Sequence, residues 1–174
     1  MSVALLMSVV LSAAAPEWKT VTLAGKEILL HPKVETLPFA QQGPFVRLPD
    51  GAVLCLDEQQ ALHSTDDGRT WTARPLFSQP AKFACRGERV MLATRDGTLI
   101  AAFMNAKEAV IKWDQKKGGP QEGCRCPVYT MRSADNGKTW SDPQLLQDGW
   151  CGALRTMIQL RSGRVVMGCQ YAVR

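Results

Sequence analysis

Apolar and polar positions along the chain fall into short runs separated by glycine turns. "FVRLPDGAVLCL" (Phe45–Leu56), "VMLATRDGTLIAAF" (Val90–Phe103) and "TMIQLRSGRVVMGC" (Thr156–Cys169) each give an apolar stretch, a turn ending in Gly, and a second apolar stretch. Runs this short, rich in Val, Ile, Leu and Phe and bounded by Asp-Gly or Ser-Gly, predict pairs of antiparallel strands. Two further apolar runs, "ALH" and "VYTM", lead into "STDDGRTWT" (Ser64–Thr72) and "SADNGKTWS" (Ser133–Ser141). The predicted unit is therefore a four-stranded antiparallel meander whose first and third turns carry glycine. Two units are complete and a third stops after its second strand, at "VVMGCQYAVR".

The nine-residue phrase has its own chemistry. Asp-Gly or Asn-Gly between β-favouring residues is a strong hairpin signal, because both central positions of the favoured turn need positive φ. Asp66 and Asp135 are placed to accept bonds from turn amides. Trp71 and Trp140 offer large apolar side chains to fix each hairpin to its neighbours. The phrase reads as a self-capped, Trp-anchored β-turn.

Repetition at this spacing decides the expected fold class, which is all-β. Tandem four-stranded meanders build a β-propeller, with blade units at about 44–75, 88–145 and 154–174. A β-sandwich also offers many short strands, yet it does not require the same capped hairpin at the same place in each unit. Propellers close with about four to eight blades. The expectation is thus an N-terminal part of a longer, six-bladed protein, or a ring closed by self-assembly if the chain is complete.

Composition changes the picture at three points. With 174 residues, 45% hydrophobic and 21% charged, the chain is globular, and its net charge of +5 is spread without an aromatic-studded basic run, so nucleic acid is not an expected partner. "MSVALLMSVVLSAAAPEW" ends in small residues with a small-x-small cleavage site, which predicts a signal peptide over residues 1–14, the rest (15–174) being the partial propeller, and a secreted or periplasmic protein. A buried N-terminal strand or helix is the alternative for that segment, and no membrane span is expected after it. Six cysteines in an exported chain make disulfides possible without revealing their pairing. No metal site is expected, because Cys124-Arg-Cys126 lacks the usual two-residue spacer and His31 and His63 lie in unrelated segments.

The two Ser-x-Asp-x-Gly-x-Thr-Trp phrases and the segment "PFVRLPDG" make the chain resemble the sialidase (neuraminidase) superfamily, in which such hairpins are called Asp-boxes. The boxes comprise Ser64, Asp66, Gly68, Thr70 and Trp71, and Ser133, Asp135, Gly137, Thr139 and Trp140. They mark this kind of blade and not the enzyme, because they occur in non-sialidase propellers too. "PFVRLPDG" looks like the family's Phe/Tyr-Arg-Ile-Pro segment, and "CGALRTMIQLRSGRVV" like the strand pair after a second box. The resemblance covers about residues 44–174.

What the resemblance implies is an exo-sialidase removing terminal sialic acid, or a related acidic sugar, from glycoconjugates without a cofactor. Arg47 becomes the first arginine of a carboxylate-gripping triad, a use suited to the planar guanidinium; the alternative is a rim arginine paired with Asp50 or Asp57. The family's Asp acid/base lies in a long loop of the first blade. That loop is only "DEQQ" here, leaving Asp57, or Glu58 beside it, as its stand-in, with surface solvation as the alternative role. Meander topology puts the boxes at one end of each blade and sets a structural role for them. The other end is expected to hold Arg47, loop 57–60, the insertion Asn105–Cys126 and the link Asp148–Gly152. Trp113 and Tyr171 are sugar-contact candidates, each with core packing as the alternative, and Tyr129 reads as core. The remaining arginines and the Tyr–Glu nucleophile pair of the family are not among these residues. Two function classes stay open: a secreted sialidase-like hydrolase, and a non-catalytic propeller binding glycans or proteins.

Overall fold

A computed structural model describes residues 17–34 and 43–171, with only the backbone described for Leu23 and Tyr171. The expected signal peptide lies outside the described residues. These are all-β, with fourteen strands and no helix. The described residues divide into two compact units, 17–34 and 43–171. In the first, β1 (Lys19–Leu23) and β2 (Lys26–Leu30) make a hairpin. Its turn runs through Ala24 and Gly25, both at positive φ, and Trp18 meets His31 edge-on at 5.6 Å.

The second unit contains two four-stranded antiparallel meanders. The first sheet runs β3 (Phe45–Arg47), β4 (Val53–Leu56), β5 (Gln60–Ser64), β6 (Thr72–Pro75) in spatial as in chain order. The second takes β7 (Cys85–Ala93) and β8 (Leu99–Asn105), skips a small hairpin of β9 (Trp113–Asp114) and β10 (Gly119–Pro120), and resumes with β11 (Val128–Ser133) and β12 (Gln144–Gln147). A third sheet pairs β13 (Cys151–Gln159) with β14 (Val165–Tyr171). None of these sheets closes on itself.

Stacking of the sheets explains the apolar runs. Successive strand residues face opposite sides. On β8, Leu99, Ala101 and Phe103 enter a cluster shared with Leu48, Ala52, Leu54 and Leu56 of the first sheet, while Ala102 and Met104 enter another with Cys151 and Leu154 of the third. Strand β8 is thus covered on both faces, so it is apolar without alternation.

Both nine-residue phrases fold as the same stapled turn. In the second, the buried Ser133 hydroxyl donates to Asp135 Oδ1 at 2.8 Å and accepts the Gly137 N–H at 2.9 Å. Asp135 in turn accepts the Thr139 N–H at 2.9 Å and the Thr139 hydroxyl at 2.6 Å. Ser64, Asp66, Gly68 and Thr70 repeat these four bonds at 2.7–2.8 Å. The residue pairs Asp67–Gly68 and Asn136–Gly137 all have positive φ. The tryptophans differ: Trp71 Nε1 donates to the Gly68 carbonyl at 2.9 Å, whereas Trp140 packs on the first core cluster with its buried Nε1 lacking a partner.

The second turn also joins two sheets. A Cβ at Gly137 would lie 2.8 Å from Leu54 Cδ2, so the bare backbone of this turn is seated on β4 of the sheet before it. Ser78 and Asp142 close the same junction with a 2.6 Å hydrogen bond.

All six cysteines are thiols, with only Cys169 exposed. Burial pushes the Cys55 and Cys151 thiols up to about 11 and Cys85 up to about 12, so these side chains behave as small neutral hydrophobes.

Gly137→Ala should cost about 1–3 kcal/mol in urea denaturation, from strain at φ +78° and overlap with Leu54. Gly51→Ala, equally left-handed at φ +86° but in open space, should cost about 1 kcal/mol. Acid should act through the boxes. The Thr70 N–H and hydroxyl, then Ser64, hold Asp66 at about 2 against the ordinary 3.8. The Thr139 hydroxyl first, with the Thr139 N–H and Ser133, holds Asp135 at about 2 as well, against an opposing effect of burial. Unfolded carboxylates protonate first, so this stabilisation is complete above about pH 4 and lost as pH falls through about 2. Denaturation midpoints should drop across that window, and the drop should shrink in Asp66→Asn and Asp135→Asn.

Candidate functional site

Each meander has two chemically different ends. Turns 48–52 and 64–71 of the first sheet, and 94–98 and 133–141 of the second, share the box end. Loop 57–60, the insertion Asn105–Cys126 and the link Asp148–Gly152 lie at the other. The insertion is shaped by the β9–β10 hairpin and by paired backbone bonds between Val110 and Arg125.

At the insertion end a polar network begins with Asn105, the last residue of β8, which is fully buried. Its carbonyl oxygen accepts the Ala84 and Lys107 N–H groups, and its amide donates to the Lys82 carbonyl and to Glu108 Oε1. Glu108 Oε1 also accepts the Tyr129 hydroxyl at 2.7 Å, and its Oε2 accepts Arg125 Nη1 at 2.6 Å. Arg125 reaches onward through Nε to Asp148 Oδ1 at 2.8 Å. Five side chains from β8, the insertion, β11 and the 148–152 link are thereby joined in one chain of charge-assisted bonds.

The network sets its own charge states. Burial raises the Glu108 carboxyl, but the Tyr129 hydroxyl, Arg125 and Asn105 bonds outweigh it and hold the group below its ordinary range. Tyr129 is pushed up by burial and by the carboxylate it serves. Asp148 is held low by the Gly149 N–H and by Arg125. The resting state is two carboxylates around one guanidinium, with a neutral tyrosine.

Beside it stands an aromatic pair. Trp113, on β9 and 42% exposed, meets Trp150 of the link with ring centres 6.0 Å apart and planes at 50°. Trp150 packs on the second core cluster, so one ring is anchored and the other faces solvent. Tyr171, paired with Cys151, places its backbone at this end.

Arg47 is elsewhere, which corrects the expectation that it sits at the insertion end in a buried strand position. It is the last residue of a three-residue strand, so it adjoins the box end, and Phe45 is the residue level with loop 57–60. Its side chain is 64% exposed, donating to the Gly51 carbonyl at 2.8 Å and to Asp67 at 3.2 Å. Its partner is thus Asp67 of the first box, rather than Asp50 or Asp57. Asp57 does lie at the insertion end, where Oδ1 accepts the Glu58 N–H within its own tight turn. Tyr129 combines two roles, stacking with Phe103 and meeting Phe83 edge-on beside the core while its hydroxyl serves Glu108.

Glu108, Arg125, Asn105 and Asp148 were not singled out by sequence reasoning. The insertion and the link were visible as segments, but nothing in "NAKEAV" or "GCRC" ranks one charge above its neighbours. No group of three or more His, Cys, Asp or Glu side chains suited to a metal ion occurs among the described residues.

No family model matches the sequence, and no curated protein matches it either. Among solved structures, a protein of unknown function from Dyadobacter fermentans DSM 18053 is similar to the chain with a TM-score of 0.54 at 18% identity. The match covers 75% of this chain and 34% of that one, so the chain spans about a third of the length of that neighbour. At this identity the likeness concerns the fold alone.

Asn105→Ala should be among the most destabilising polar substitutions here, at about 3 kcal/mol, because it strands the buried Ala84 N–H and removes a brace of Glu108. Chemical denaturation measures the loss. A cost under about 0.5 kcal/mol would mean that the network does not hold the insertion in place.

Proposed function

We propose that the protein is a carbohydrate-recognising β-propeller of the sialidase-like kind, exported from the cell, whose ligand end is the insertion end. The propeller reading is supported by two consecutive four-stranded meanders with the same stapled turn between their third and fourth strands. The observation that carries the functional reading is the Trp113–Trp150 pair beside the Glu108–Arg125–Asp148 cluster. A sugar presents an apolar ring face and a rim of hydroxyls. An anchored aromatic with a second, exposed ring suits the face, and fixed carboxylates suit the hydroxyls.

Hydrolysis of sialosides is the second reading, and the Tyr129–Glu108 pair favours it. A Tyr assisted by a carboxylate can attack an anomeric carbon that itself bears a carboxylate without charge repulsion. The resting electrostatics run against this use, because attack requires the proton to pass from Tyr129 to Glu108, while their shifts hold it on the tyrosine. Arg47 also stands at the opposite end of its sheet from Asp57, so these two do not form one acidic-sugar site within the first sheet. Recognition is therefore the first reading.

Calorimetry against a panel of neutral and sialylated oligosaccharides tests both. Trp113→Ala should weaken binding at least about tenfold, roughly 1.4 kcal/mol, with a smaller shift of the denaturation midpoint than Trp140→Ala, since Trp113 is 42% exposed and lies outside the core cluster that Trp140 packs against. Release of sialic acid that disappears in Tyr129→Phe would establish hydrolysis instead. Absence of binding to every sugar in the panel would remove the carbohydrate reading.

A further inference from the structure

The insertion between β8 and β11 carries large apolar side chains that belong to neither core cluster. Val110 is 44% exposed, Ile111 50% and Trp113 42%. The backbone beneath them is fixed. Val110 and Arg125 exchange N–H···O bonds at 2.8 and 2.9 Å, and the Arg125 side chain is held by Glu108 and Asp148. The apolar side chains are thus presented from a braced base, and a partner that covers them has no loop to order first.

Charge in the same stretch faces outward with one dominant sign. Beyond Trp113 the turn between β9 and β10 is closed by Asp114, whose Oδ1 accepts the Lys116 and Lys117 N–H groups at 2.9 and 3.0 Å and whose carbonyl accepts the Gly118 N–H at 2.9 Å. The carboxylate is used inside the turn, while Lys116 and Lys117 stand exposed at its tip and Lys112 is exposed beside Trp113. Glu108 is committed to Arg125 and Tyr129, which leaves Glu122 as the exposed carboxylate of the insertion. Lysines interleaved with apolar side chains discriminate between partners. The core of a protein interface is depleted in lysine, because each ammonium has to be paired or stripped of water. An anionic bilayer surface takes both kinds of side chain at once: aliphatic groups enter the boundary of the acyl chains, Trp lies at headgroup level, and lysine heads stay among the anionic headgroups.

We propose that residues 110–117 form a membrane-surface anchor, which docks on an anionic lipid bilayer without spanning it. Val110 and Ile111 enter the interface, Trp113 lies at its headgroup level, and Lys112, Lys116 and Lys117 meet the anionic headgroups. Two contributions then act together: burial of the apolar side chains, which salt does not weaken, and attraction of the lysines, which salt screens. Phospholipid headgroups suffice for this contact, so the inference goes beyond the carbohydrate reading and does not rest on it.

The test is co-sedimentation of the full chain with sugar-free vesicles, made of phosphatidylcholine alone or of phosphatidylcholine mixed equally with phosphatidylserine. At about 0.1 M salt the mixed vesicles should bind at least about tenfold more tightly than the neutral ones, and added salt should narrow the gap. Ile111→Glu, and separately Lys116→Glu combined with Lys117→Glu, should each weaken binding to the mixed vesicles at least about tenfold. All three positions are exposed, so circular dichroism should show the fold unchanged in both variants. Leu146→Glu, at an exposed apolar position on β12 outside the insertion, should leave binding as it was. Equal or absent binding to the two kinds of vesicle would overturn the inference. So would binding that survives both insertion variants, which would assign the contact to another segment such as the apolar residues 1–14. Self-association of the protein alone, abolished by Ile111→Glu, would overturn it in favour of a contact between copies of the chain.

Discussion

In each box turn a single buried serine hydroxyl does two things at once. Ser133 accepts the glycine N–H four residues on and donates to the aspartate that organises the rest of the loop. That arrangement closes a turn with two left-handed residues and leaves the flat backbone of Gly137 facing outward. Only such a surface can approach Leu54 as closely as it does, and the second sheet is held against the first there. One face of β8, through Leu99, Ala101 and Phe103, is buried in the same cluster as Leu54, while the third sheet covers the other.

Separation of the ends divides the labour. The box end is built from short turns whose polar groups are satisfied within the turn, which leaves little for a ligand to displace. The insertion end is built from side chains that come from distant parts of the sequence and satisfy one another across strands. Fixed dipoles and charges held by a packed scaffold are what recognition of a polar ligand requires. Arg47 shows the cost of reading position from composition alone. Flanked by Val46 and Leu48 it looks like a strand residue to be buried, but a strand of three residues puts it at the rim, on Asp67.

Much of the architecture was legible because it is local. Gly-containing turns, the Ser-x-Asp-x-Gly-x-Thr-Trp phrases and the apolar runs each act within about ten residues, and together they imply meanders of four strands. The candidate site was legible only in outline. Trp113 stood out as an aromatic in a long insertion, whereas Glu108 looked like any other charge in a lysine-rich loop. What distinguishes it is contact with Tyr129, Arg125 and Asn105, and no spacing rule brings those four together.

By itself, then, the sequence determined the strands, their turns and the repeat, since hydrogen-bond geometry and left-handed φ values are properties of neighbouring residues. Tertiary structure decided which end each charge faces, that the six cysteines are unpaired, and that Glu108 rather than Asp57 lies at the centre of a network. Those outcomes depend on the stacking of separate sheets, where burial and approach distances between residues far apart in the chain set protonation and pairing.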